Sequence, residues 1–191
     1  FIHQNELTSN VISAANLAIA LKAERSGKEQ NGWSVNLDTG SYATHYLARA
    51  ATARFGLGAI IPADAVYAST MNDTSGNPLV GTNSYVIHFA PGQAPPVRGF
   101  WSITVYDENG FLVANQINRY SIGSESGLAS NADGSIDILL QNSMPGGLES
   151  NWLPVPAGPF SLTFRLYWPD EAVLNGAWIL PPVEPATAAA P

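Results

Sequence analysis

A two-residue alternation governs the middle of the chain. From Gly99 it reads Gly-Phe-Trp-Ser-Ile-Thr-Val-Tyr-Asp-Glu-Asn-Gly110. In an extended strand, successive side chains point to opposite faces. Trp101, Ile103 and Val105 therefore share one face, and Phe100, Ser102, Thr104 and Tyr106 share the other. The same period returns in Phe160–Tyr167, where Phe160, Leu162, Phe164 and Leu166 alternate with Ser161, Thr163, Arg165 and Tyr167. A strand with one apolar and one polar side belongs to a sheet half buried against another layer. Trp101, Phe160 and Phe164 are thus expected to point into the core, because large aromatics dominate core area.

Other stretches carry the same signal. Ser84–Ala90 alternates Tyr85, Ile87 and Phe89 with Ser84, Val86 and His88, and Ser135–Leu140 forms a further strand. Short strands are expected at Asn118–Ile122 and Trp178–Leu180, and an extended passage is expected at residues 56–68. Asp107-Glu-Asn-Gly110 reads as a tight turn, with Phe111–Ala114 pairing back as a hairpin. Turn clusters rich in Asn, Gly and Pro stand between these runs about every ten residues.

Before the strands the period changes. Leu7, Val11, Ala14, Ala15, Ala18 and Leu21 recur at three- and four-residue steps, which predicts a helix over 5–26 ending at Gly27. Lys22 and Arg25 suit its C-terminus. A polar connection holding Trp33 follows, then a second helix over Tyr42–Phe55 with Tyr46, Ala50 and Ala53 on one side. The sequence implies an α+β, mainly β chain: an antiparallel β-sandwich or jelly roll preceded by two N-terminal helices. It divides into a helical lead-in (1–55), a β domain (56–180) and a Pro/Ala-rich tail (181–191). The tail is polyproline-like in composition and is expected to lie docked, on its own domain or on a neighbour.

Charge narrows the partners. Only 12% of the 191 residues are charged, against about 25% in ordinary soluble domains, and the net charge is −7. Residues 1–55 hold five of the eight Lys and Arg (Lys22, Arg25, Lys28, Arg49, Arg54) against four acids. The remainder holds Arg98, Arg119 and Arg165 against eleven acids. Such a body has no basic stripe for phosphates, so neither nucleic acid nor an anionic membrane surface suits it. There is no cysteine, which excludes disulfides, thiolate catalysis and cysteine-bound zinc. That absence fits any compartment, including export to a periplasmic or extracellular setting. The chain opens on Phe1, as a processed or trimmed protein would.

Motifs of chemistry are few. His3, His45 and His88 lack metal-ligand spacing, and structural roles suit them better than catalysis. Gly123-Ser-Glu-Ser-Gly127 has Glu125 where a nucleophile elbow needs serine. There is no phosphate loop and no dinucleotide fingerprint, and no cofactor is implied. Asn131, Asp133 and Asp137 could face a hard cation, but Asp133-Gly134 is first an ordinary turn. Asn72-Asp-Thr74 is an N-glycosylation triplet of little weight. The best candidate site is the polar face of the long strands, where Tyr106, Arg165 and Tyr167 would line one surface. Arg165 would be an anion or carbonyl clamp and the tyrosines proton donors.

Several ordered motifs carry a family resemblance. Phe55-Gly-Leu-Gly58, Pro62-Ala-Asp-Ala-Val-Tyr67, Gly99–Tyr106, Asn118-Arg-Tyr-Ser121, Asp133-Gly-Ser135, Asn151-Trp-Leu-Pro-Val-Pro156 and Arg165-Leu-Tyr-Trp-Pro169 resemble domain of unknown function 1214 over residues 55–183. That domain commonly follows domain of unknown function 1254, for which there is no room here, so a single-domain member or an excised part is expected. The resemblance implies a jelly-roll-like β domain with helical additions, and a hydrolase-like or other small-molecule-modifying role suspected for two-domain members. Carried over as motif members, Trp101, Tyr106, Arg119, Asn151, Trp152, Arg165 and Tyr167 are the expected ligand-binding residues.

Two functions stand open. In one, the β domain binds or modifies a small, mostly apolar molecule through Tyr106, Arg119 and Arg165. In the other, the chain is a structural subunit of an oligomeric or filamentous assembly, self-associating through its first helix and its tail.

Overall fold

The computed structural model describes residues 2–24, 27–147 and 149–186. The side chains of His3 and Leu7, Arg25, and the tail past Ala186 lie outside the described residues.

In chain order the elements are α1 (Ile2–Glu24), β1 (Lys28–Gln30), β2 (Trp33–Asn36), α2 (Tyr46–Phe55), β3 (Ala65–Thr70), β4 (Tyr85–Phe89), β5 (Trp101–Asp107), β6 (Ser121–Gly123) and β7 (Ile136–Gln141). A 3₁₀ turn at Glu149–Asn151 leads to β8 (Trp152–Pro154), β9 (Phe160–Tyr167), α3 (Glu171–Leu174) and β10 (Glu184–Pro185). One sheet has six strands in the order β1-β2-β3-β9-β5-β6, and the other has four in the order β10-β4-β7-β8. The expected mainly β fold behind two N-terminal helices is therefore present. The pairing is not wholly antiparallel, because β7 and β8 run parallel.

The alternation reads out as expected. Trp101, Ile103 and Val105 of β5 are buried, as are Phe160, Leu162, Phe164 and Leu166 of β9. The two sheets meet through their rings: Phe89 of β4 lies 5.2 Å from Trp101 and 6.2 Å from Phe164, and Tyr85 lies 5.9 Å from Phe160. Phe164 also touches Trp33, Trp101 and Trp178, at centroid separations of 5.8, 5.6 and 6.4 Å. Such aromatic clusters fill the space between two sheets with few side chains.

Several local expectations are corrected. The polar connection around Trp33 is a β-hairpin, β1–β2, that extends the six-stranded sheet. Its turn is Asn31-Gly32, both residues with positive φ (50° and 80°), which Asn and Gly tolerate. Trp33 is wholly buried, and its indole Nε1 donates to the Pro181 carbonyl at 2.8 Å. The turn after β5 forms, with Gly110 N donating to the Asp107 carbonyl, but Phe111–Ala114 does not return as a strand. β9 holds one edge of β5 and β6 the other, so no edge is left for it. Trp178–Leu180 is not a strand either; Trp178 and Leu180 are buried behind α3. In α2 the buried residue is Ala51, while Tyr46 is exposed. The tail docks on its own sandwich through residue 186: β10 pairs with β4, and Ala186 N donates to the Ser84 carbonyl.

Candidate functional site

The outward side of the six-stranded sheet carries the candidate site, and strand register assembles it. Asn36, Tyr67, Arg165, Ser102 and Gly123 stand opposite one another across β2, β3, β9, β5 and β6. The next row is Ser34, Ser69, Thr163, Thr104 and Ser121. All these residues share the parity that faces away from the core.

Arg165 lies along β5. Its Nη1 donates to Thr104 Oγ1 and its Nη2 to the Tyr106 hydroxyl, each at 2.7 Å. The guanidinium also sits 5.8 Å from the Tyr106 ring centre. Among the described residues the ion pairs are His88–Asp137 and Arg98–Asp170, so this half-buried cation has neutral partners only. Two of its five N–H donors are used, and three remain.

Aromatic side chains flank it. Tyr167 stacks on Phe100 with centroids 4.4 Å apart and meets Tyr67 edge-on at 6.3 Å. Burial holds the Tyr67 phenol above its usual pKa. The charge Tyr167 would carry and the hydrogen bond to Tyr167 push the same way, and the Arg165 charge pulls against them. Beside Ser102 opens a cleft of about 270 Å³, lined by Phe100, Ser102, Ser121, Ile122 and Glu125. Gly123 permits the close β5–β6 approach at its floor, since a Cβ there would fall 2.0 Å from the Trp101 carbonyl oxygen.

Of the expected binding residues, the structure brings Tyr106, Arg165 and Tyr167 together on this face. The other four lie elsewhere. Trp101 points into the core. Arg119, half-buried before β6, donates from Nη1 to the carbonyls of Glu149 at 2.6 Å and Trp152 at 2.7 Å, clamping the 3₁₀ turn and β8. Asn151 is buried; its amide donates to the Ala129 and Asp137 carbonyls while its oxygen accepts from Ala129 N. Trp152 is buried and donates to the Gln141 carbonyl. These three tie the four-stranded sheet to its loops. Sequence reasoning did not single out Tyr67, Phe100 and Glu125, which flank Arg165 or line the cleft beside it. The parity of Tyr67 and Ser69 within Ala65–Thr70 was the available signal.

The Asn131–Asp137 loop closes on itself. The Ser135 hydroxyl and then the Ser135 amide donate to Asp133 and hold its carboxyl below the usual range. Asn131 donates to Ser135 and Asp137, and Asp137 also meets His88 Nδ1 at 2.6 Å. Among the described residues no group of three or more His, Cys, Asp or Glu side chains is arranged to hold a metal ion. No helix there is long and apolar enough to cross a membrane.

The VPA0106 protein from Vibrio parahaemolyticus has a similar solved structure, with a TM-score of 0.68 and 25% identity. The similarity covers 98% of this chain and 46% of that one, so this chain spans less than half of its relative's length. An uncharacterized protein from Burkholderia cenocepacia is more distant, with a TM-score of 0.40 and 17% identity over 70% of this chain and 32% of that one. No curated protein matches the chain significantly. The family described as "Protein of unknown function (DUF1214)" matches residues 64–171, from the start of the β3 edge to α3 and more than half of the sequence; the chain belongs to that family.

Proposed function

We propose that this domain binds a small, mostly apolar organic anion on the outward face of its six-stranded sheet. The carrying observation is Arg165: a half-buried guanidinium, fixed by Thr104 and Tyr106, with no carboxylate partner among the described residues. A partly desolvated charge without a counter-ion is costly to leave alone. A carboxylate or a polarised carbonyl supplied by a ligand would complete it, and a planar guanidinium suits such a group bidentately. Phe100, Tyr67 and Tyr167 offer apolar surface for the rest of the molecule, and the cleft beside Ser102 takes its bulk. Tyr67 and Tyr106 are further donors toward a carbonyl oxygen.

The test is a thermal-shift and calorimetric screen of aromatic and aliphatic carboxylates, each paired with its neutral amide. Carboxylates should stabilise the wild type more than amides do. Arg165→Met should weaken them roughly ten- to a hundredfold, the value of a hydrogen bond to a charged group. Equal binding by Arg165→Met, or no anion that stabilises the wild type, refutes the reading.

A further inference from the structure

We propose that the ligand of the outward face is an elongated aryl-alkanoate, held with its carboxylate on Arg165 and its ring on Phe100. The inference rests on the anion reading above and adds to it a length and an orientation.

The cleft fixes the two ends. Its lining follows the β5–β6 seam from Phe100 past Ser102 to Ser121. Across that seam Ser102 pairs with Gly123 and Thr104 pairs with Ser121, so the cleft ends at the Thr104 row. Arg165 starts opposite Ser102, but its side chain leans along the sheet, and Nη1 reaches Thr104 Oγ1 at 2.7 Å. Its charge therefore stands about one strand spacing, roughly 4.8 Å, from the Ser121 end. The other end is Phe100, exposed and stacked on Tyr167 through one face of its ring. Phe100 precedes Thr104 by four positions, which is roughly 13 Å at about 3.4 Å per extended residue. A carboxylate on the guanidinium and a ring on Phe100 are thus held on the order of 10 Å apart. Benzoate and phenylacetate reach one end only. In 6-phenylhexanoate the extended chain, at about 1.5 Å per bond, spans both.

Charge sets the orientation. Gly123 closes the β5–β6 ladder toward Phe100, and the exposed Glu125, two residues further on, also lines the cleft. An acid therefore stands at the Phe100 end and a cation at the Thr104 end. A carboxylate is repelled from the first and drawn to the second. Between them the lining carries no charge, with Ser102, Ser121, Ile122 and Gly123 along it. Such a passage suits a chain of methylenes, and the aromatic end suits a ring, which prefers an offset or edge-on partner.

Calorimetric titration of the full chain with two isomers, 6-phenylhexanoate and 2-phenylhexanoate, tests this at neutral pH. They share composition and charge and differ in the distance from ring to carboxylate, so unspecific apolar binding treats them alike. The 6-isomer should bind roughly tenfold more tightly. Phe100→Ala should weaken the 6-isomer roughly tenfold and the 2-isomer far less. Phe100 is exposed, and circular dichroism checks that this variant keeps its fold. Arg165→Met should weaken both isomers, which reports on the anion reading alone. Isomers of equal affinity that both weaken in Arg165→Met overturn the length and orientation and leave the anion site standing. A preference for the 6-isomer that survives Phe100→Ala overturns the placement of the ring. Binding of both isomers untouched by Arg165→Met overturns this proposal and the anion reading together. Failure of both isomers to bind overturns this proposal, and the anion reading then answers to its own screen.

Discussion

Phe164 and Arg165 are neighbours in one strand, and the two-face reading requires them to behave as opposites. Phe164 is wholly buried among Trp33, Phe89, Trp101 and Trp178. Removing roughly 200 Å² of buried ring at about 25 cal/mol/Å² costs roughly 5 kcal/mol, within the ~3–5 kcal/mol typical of Phe→Ala in cores. The surroundings resist collapse. Trp33 and Trp178 are pinned by their indole N–H groups to the carbonyls of Pro181 and Gln93, so the cavity persists and the upper end applies. Arg165→Ala loses two charge-assisted hydrogen bonds but also removes a half-buried cation that has no counter-ion among the described residues. These effects oppose each other, and the net change should stay within about 1 kcal/mol. Urea unfolding with matched m-values measures both. Phe164→Leu keeps the experiment readable if Phe164→Ala fails to fold, because about 5 kcal/mol is a large share of the ~5–15 kcal/mol a domain has. Comparable losses from Phe164→Ala and Arg165→Ala would refute the assignment of faces.

Two further outcomes follow from the same geometry. Tyr67 should ionise above the ordinary tyrosine value in an absorbance titration, identified by its loss in Tyr67→Phe, and Arg165→Met should move it higher still by removing the opposing charge. A phenol whose folded pKa is raised adds stability below its unfolded value of about 10, and that stability is lost as pH climbs through the folded value, so the melting temperature should fall at alkaline pH and less so in Tyr67→Phe. Arg119→Ala should cost roughly 2 kcal/mol and speed hydrogen exchange across residues 149–154, because carbonyls lose a charged donor. Arg119→Lys should rescue part of this, since a single nitrogen, Nη1, reaches both Glu149 and Trp152 and an ammonium also carries several donors on one nitrogen.

The long strands were legible because their period is local. Phe160–Tyr167 forms β9 over the range its alternation marks, and β4, β5 and β7 lie within a residue or so of theirs. The hairpin at Trp33 was missed although Asn31-Gly32 signals it. Its strands hold three and four residues, too few for alternation to show, and the partners of the Trp33 side chain, Phe164 and the Pro181 carbonyl, lie far away in sequence. The helices were legible as helices, but among the described residues apolar positions expected to pack, Val11, Leu21 and Tyr46, are exposed. Periodicity reveals that a helix has an apolar side and is silent on what that side meets.

The candidate site follows the same division between local and distant information. That Arg165, Tyr106 and Tyr167 point outward is a parity, and parity is written into each strand separately. That Arg165 stands between Tyr67 and Ser102 is a register between β3, β9 and β5, which are separated by dozens of residues in sequence. Arg119 shows the limit most clearly. It lies in a family-like motif and is an arginine beside a short strand, as a ligand-binding residue could be, yet its guanidinium serves carbonyls at the other sheet's edge. What separates the two arginines is the company each keeps. Backbone carbonyls give Arg119 a structural task that is complete within the chain. Among the described residues Arg165 meets two hydroxyls and a tyrosine ring and finds no carboxylate, and an unanswered charge on a built surface is the stronger argument for a ligand.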